Sequence, residues 1–157
     1  MNASYRTTSE EETSRVAGQF AGRLDRGDVV ALYGDLGAGK TQFVKGICRT
    51  LEVRETVASP SFVILHRYEG RDSEGNELLI HHFDLYRVRS AEEIYDLGYE
   101  EFLFGSGICI VEWADRLHHL LPAHRYDIRL GLGSSENERT IQITRVHSDV
   151  ASERDPL

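Results

Sequence analysis

The stretch Gly34-Asp35-Leu36-Gly37-Ala38-Gly39-Lys40-Thr41 satisfies the pattern G-x-x-x-x-G-K-[ST] at every constrained position. An apolar, β-branched run, Val29 to Tyr33, precedes it, and Phe43, Val44, Ile47, Cys48 and Leu51 recur after it at helical spacing. Strand, glycine-rich loop and helix therefore follow one another as a phosphate cradle requires. Glycines permit a tight turn that aims backbone N–H groups at phosphate oxygens, and the helix N-terminus adds partial positive charge there. This order predicts that Gly34 to Thr41, with Gln42 beyond them, bind a nucleotide. Lys40 is expected at the β- and γ-phosphates and the Thr41 hydroxyl on Mg²⁺. The competing view is a glycine-rich strand-to-helix turn that carries a surface lysine; the full match to the motif in its required context favours the nucleotide.

Such a loop needs a sheet around it, and 157 residues suit one domain able to bury roughly two-thirds of its unfolded surface. The charge balance argues against a nucleic-acid grip by this chain alone. With 18 basic and 26 acidic side chains the net charge is −8, and no basic face is evident. Cys48 and Cys109 fall in separate apolar patterns and are expected as buried free thiols. The polar start, Met1 to Glu12, predicts no secretory signal, and the uncharged run Phe102 to Val111 is too short to span a bilayer. A cytoplasmic protein without membrane contact is expected.

Ser9 with Glu12 forms a capping-box pattern, and Val16, Ala17, Phe20, Ala21 and Leu24 then form an apolar helical stripe that Asp25-Arg26-Gly27-Asp28 ends. Beyond the loop helix, Arg54 to Ser61 is polar, and Pro60 pushes Ser59 into an extended conformation. Two strands are predicted, Phe62 to Tyr68 and Leu78 to Leu85. The stretch Gly70 to Glu77 between them is too short for a crossover, so they should form an antiparallel hairpin. Ser90 with Glu93 opens a second helix that runs through Leu97 and closes at Gly98. Ile108 to Val111 reads as a fully buried strand ending in Glu112-Trp113, and Ala114 to Leu121 as a short helix halted by Pro122. Tyr126 to Leu132 and Thr140 to Val146 predict a last hairpin. The fold expected is α/β: a single P-loop NTPase-like domain over residues 1–147, its mixed sheet a parallel core with antiparallel hairpins, flanked by helices. Residues 148–157 are expected as a flexible tail.

A phosphate loop also needs a carboxylate at a neighbouring strand end, to orient Mg²⁺ or the attacking water. Glu112 ends the most apolar strand, and Asp84 lies near the end of a partly polar one; both are candidate catalytic and metal-binding residues. Their division of labour is open, and a helix cap or an ion pair with Arg87 would also account for such an acid. Trp113 either anchors the core or forms part of the wall near the nucleotide, where it would serve as a reporter. The pairs His81-His82 and His118-His119 lack a zinc-type ligand set, because neighbours on a strand face opposite ways, and are expected to be structural or solvent-facing.

Taken together, Gly34 to Thr41, Ser59-Pro60-Ser61-Phe62, His82-Phe83-Asp84-Leu85-Tyr86-Arg87, Glu92-Glu93 with Leu97-Gly98, and Val111-Glu112-Trp113 resemble the TsaE family in content and order. Ser61, where the family usually has threonine, is the visible departure, and it keeps the hydroxyl. The resemblance implies an ATPase needed to make the threonylcarbamoyladenosine modification of tRNA. It also implies two protein partners of metalloprotease-like fold, one of which performs the transfer, so that tRNA is met only indirectly. By the same analogy Thr41 and Glu112 contact Mg²⁺ and Asp84 assists with metal or catalysis. Ser59, Pro60 and Ser61 would belong to a switch loop, and Ser9-Glu10 would approach the adenine. Cofactors implied are ATP and Mg²⁺. Two other classes compete. A small-molecule kinase would need an acceptor pocket and an arginine-bearing lid, for which Arg67, Arg71, Arg87 and Arg89 are available but no lid segment is visible. A GTP switch would need the N-K-x-D guanine reader, which is absent.

Overall fold

The structure, a computed structural model of the chain, describes residues 2–58, 64–117 and 120–147. Ser59, Pro60, Ser61 and Phe62 of the expected switch segment, the pair His118-His119, and the expected tail 148–157 lie outside the described residues.

The order of elements is β1 (Asn2–Thr7), α1 (Glu10–Ala21), β2 (Val29–Tyr33), α2 (Lys40–Thr50), β3 (Leu65–Arg71), β4 (Glu77–Asp84), α3 (Ala91–Asp96), α4 (Tyr99–Leu103), β5 (Ile108–Glu112), β6 (Arg125–Leu132) and β7 (Arg139–Val146), with a 3₁₀ turn at Ala114–Arg116. The strands make one seven-stranded sheet in the order β1-β7-β6-β2-β5-β4-β3. β2 pairs in parallel with both β5 and β6, and β4 with β5. The outer pairs β3–β4, β6–β7 and β1–β7 are antiparallel. This is the mixed sheet predicted, with the phosphate-loop strand at its centre.

Alternation along the central strands divides the core in two. Val30, Leu32, Ile108 and Ile110 face α1 and α2, packing with Ala17, Phe20, Phe43 and Ile47. Val29, Ala31, Cys109 and Val111 face the other way, toward Ile94 of α3 and Leu103 of α4. Both cysteines are free and buried as expected, and burial pushes the Cys48 thiol up to about 12.

The structure departs from expectation in four places, each with a physical reason. β1 was not foreseen, because Asn2 to Thr7 is an edge strand with little apolar alternation, held by its antiparallel register with β7. α1 ends at Ala21, a turn earlier than its stripe suggested, and Ser9 Oγ accepts from the Glu12 N–H at 3.1 Å while Glu12 reaches back to the Thr8 N–H at 2.6 Å. The cap thus closes one residue earlier than a capping box on Ser9 would. β3 begins later than Phe62 and runs on through Gly70 to Arg71, shrinking the turn to the Asp72 segment. There the Asp72 carboxylate accepts from the Glu74 and Asn76 N–H groups, both at 2.9 Å. After Gly98 the chain restarts as α4, and the helix expected over Ala114 to Leu121 is a 3₁₀ turn at its start.

Candidate nucleotide-binding site

Gly39 caps α2 at φ 104°, a left-handed conformation that L side chains rarely adopt, and its carbonyl accepts from the Phe43 N–H. Lys40, the first residue of α2, is 5% exposed. Its ammonium donates back to the carbonyls of Gly34 and Asp35, at 3.0 Å to the latter, and stands 4.1 Å above the Trp113 ring. The loop thus closes around its own cation. Burial pulls the Lys40 ammonium below the ordinary lysine value, while Glu112, Asp84, Asp35 and Asp115 act to hold the charge on it. A largely buried cation at the head of a helix, amid carboxylates and inside a glycine-rich loop, is suited to a polyanion that brings phosphate oxygens.

Thr41 Oγ1 donates to Glu112 Oε1 at 3.3 Å. Glu112 ends β5 with 2% exposure, directly across from Asp84 in the parallel register of β4. Asp84 accepts from the Tyr86 N–H at 3.0 Å, so its side chain also shapes the turn leaving β4. A hydroxyl and two carboxylates on adjacent elements fit Mg²⁺, which takes one or two protein carboxylates and leaves other positions to phosphates and water. Among the described residues, no group of three or more His, Cys, Asp and Glu side chains offers an all-protein metal cage.

These groups line a cleft of ≈ 700 Å³. Leu36, Gly37, Gly39, Lys40, Thr41 and Gln42 form one side of it, Asp84, Glu112 and Trp113 another, and Ser9 and Glu10 at the head of α1 a third. Glu10, reached only through the family resemblance, therefore faces the same space as the loop. Gly34, Asp35 and Ala38 do not line the cleft. The first two hold Lys40 through their carbonyls, and Ala38 is buried with its N–H on Asp35 O. Gln42 lines the cleft while its amide donates to Ser14 Oγ at 2.7 Å, tying α2 to α1. Trp113 belongs to the wall; its φ of 58° sets the ring beside Tyr86, with 4.9 Å between centroids. Of the four arginines available to a kinase-type lid, Arg87 lines the cleft, whereas Arg67 and Arg71 lie on β3 at the sheet edge.

Two contributions escaped sequence reasoning. Arg139, at the start of β7, donates to the Gly37 carbonyl at 3.2 Å and lines the cleft with Asn137. No local pattern marks it; the β7–β6–β2 order alone brings it to the loop. His82 is the second. It was expected to be structural or solvent-facing and is structural, wholly buried; its partner was not foreseen, with Nε2 2.5 Å from Glu112 Oε2. His81 faces the other way, against Phe102, and burial lowers its pKa.

A family model described as threonylcarbamoyl adenosine biosynthesis protein TsaE matches residues 7–141. The chain is 41% identical over 123 residues to the tRNA threonylcarbamoyladenosine biosynthesis protein TsaE of Treponema pallidum, covering 78% of this chain and 86% of that one. It is 39% identical over 142 residues to the protein of the same name from Bacillus subtilis, covering 90% and 85%. Among solved structures, Bacillus subtilis YdiB superposes with a TM-score of 0.75 at 35% identity, over 93% of this chain and 86% of that one. The phosphate loop, the strand-end acids and these matches converge, and the chain belongs to the TsaE family.

Proposed function

We propose that this protein is a Mg²⁺-dependent ATPase that serves formation of the threonylcarbamoyladenosine modification of tRNA. We further propose that it acts in the cytoplasm with two protein partners of the transfer machinery and meets tRNA through them. The observation that carries the ATPase reading is the Lys40–Thr41–Glu112 arrangement lining one cleft, with Lys40 and Glu112 buried. The pathway is supported by the names of the relatives.

The chemistry follows from what each residue does. Lys40 supplies a desolvated cation to the phosphate chain, and the loop amides supply donors around it. Mg²⁺, when bound, would supply charge neutralisation at the phosphates. Thr41 and Glu112 would hold that ion, with Asp84 beside them. The remaining carboxylate capacity of Glu112 and Asp84 orients water in line for attack. Trp113 and Tyr86 wall off one side of the cleft and limit solvent around the phosphates. Absence of the N-K-x-D sequence supports adenine over guanine.

Glu112→Gln keeps the shape and removes the charge. It should bind ADP by calorimetry yet hydrolyse ATP at least about tenfold more slowly, on the order of 1.4 kcal/mol in the barrier. An unchanged turnover number would remove Glu112 from the mechanism, and faster turnover of GTP than of ATP would overturn the adenine reading.

A further inference from the structure

The ATPase reading leaves the imidazole of His82 unused. β4 and β5 run parallel, with His82 opposite Ile110 and Asp84 opposite Glu112, so all four side chains project to the sheet face that carries α1 and α2. His82 is 0% exposed, and both ring nitrogens have partners. Nε2 lies 2.5 Å from Glu112 Oε2, and Nδ1 lies 3.4 Å from the Tyr68 hydroxyl. A carboxylate oxygen accepts, so the hydrogen of this contact sits on Nε2, while Nδ1 faces the Tyr68 hydroxyl, which also donates to the Ala58 carbonyl at 3.5 Å. Tyr68 is itself buried, and its hydroxyl also lies 3.3 Å from His66 Nδ1. The last torsion of a glutamate is broad and its two oxygens are equivalent, so nothing intrinsic to Glu112 fixes the plane of its carboxylate. Capture of Oε2 by His82 decides it: Oε1 is left facing Thr41 Oγ1 at 3.3 Å.

We propose that His82 is a positioning residue that locks the Glu112 carboxylate toward the Thr41 hydroxyl, with Tyr68 orienting the imidazole from behind. The relation resembles the partners that orient metal ligands from outside the ligand set, whose removal costs ~10- to 100-fold in metal affinity or activity. The inference rests on the reading of Thr41 and Glu112 as Mg²⁺-binding residues.

Calorimetry of ADP binding in Mg²⁺ and in EDTA separates this role from core packing. His82→Leu should weaken the Mg²⁺-dependent part of ADP affinity by ~10- to 100-fold and lower kcat comparably. Affinity in EDTA should stay unchanged, because Lys40 and the loop are untouched. His82→Gln, which returns an N–H near the Nε2 position, should recover most of the loss, and His82→Asn, which is too short, should not. Should His82→Leu fail to fold, the Gln and Asn variants decide. A Mg²⁺ increment that is the same in Gln, Asn and the parent would overturn the proposal, even if melting temperatures fall. In the nucleotide-free protein, nitrogen-15 NMR should find the His82 hydrogen on Nε2; a hydrogen on Nδ1 alone would equally overturn it. A parent protein that binds Mg²⁺-ADP but hydrolyses nothing would sink the ATPase reading and leave this test standing. A parent that binds no nucleotide would sink both.

Discussion

At the scale of single residues, the site turns on a cation that the fold has made costly to bury and useful to place. The Lys40 ammonium is held by two loop carbonyls and rests on the face of Trp113, so a nucleotide that engages it must also alter the surroundings of that indole. Lys40→Ala removes the cation the motif supplies and leaves the carboxylates of Glu112, Asp84 and Asp35 without their nearest counter-charge. Tight binding of ADP should be lost in calorimetry. In the parent protein, adding Mg²⁺-ADP should shift Trp113 emission, a response that Lys40→Ala abolishes. Trp113 is the chain's one tryptophan, so the signal has a single source. An emission spectrum indifferent to saturating nucleotide would detach Trp113 from the site.

At the scale of elements, strongly patterned segments were legible, whereas helix ends and features set by a partner strand were not. The central strand, the loop and α2 were legible because each constrains its own few residues. So were the antiparallel pairs β3–β4 and β6–β7, announced by turn-forming stretches too short for a crossover. β1 was illegible because Asn2 to Thr7 lacks an apolar alternation and becomes a strand through its partner β7. For the same reason the partner of His82 was not legible: the β4–β5 register alone sets its ring against Glu112. Non-local packing also explains Gly46, a helix-interior glycine in α2 that propensity alone would disfavour. A Cβ there would stand 2.6 Å from the Ser14 carbonyl and 2.7 Å from Ala17 Cβ, so α1 and α2 pack backbone against backbone at this point. Gly46→Ala forces the helices apart and should cost about 1–3 kcal/mol, despite the gain in helix propensity. Thermal unfolding should show a fall of roughly 2–4 °C per kcal/mol. An unchanged or raised melting temperature would mean that the two helices separate freely.

For the molecule as a whole, the question is what completes the cleft. One sheet with its two helical layers accounts for the described residues, and the cleft at the end of its parallel strands is open to solvent. Leu36 at the tip of the phosphate loop is 66% exposed and Tyr86 at the opposite rim 43%, so apolar surface frames the mouth on both sides. With a net charge of −8 the chain is poorly suited to hold tRNA itself, in keeping with the proposal that it meets tRNA through partners. We propose that those partners pack against the cleft mouth, exclude water and supply or position charge at the transition state, so that the isolated chain hydrolyses ATP slowly. Raising the rate ~10- to 1,000-fold requires only about 1.4–4 kcal/mol, within reach of one well-placed cation or of preorganising the acids already present. Leu36→Asp tests where the partner sits, because it puts a charge on the rim without touching Lys40, Thr41 or Glu112. Because Leu36 also lines the nucleotide cleft, stimulation is read as the ratio of the partnered to the isolated rate within the same variant, and that ratio should fall by at least about tenfold. Equal hydrolysis with and without partners in the parent protein would refute the stimulation, and full stimulation of Leu36→Asp would place the contact elsewhere.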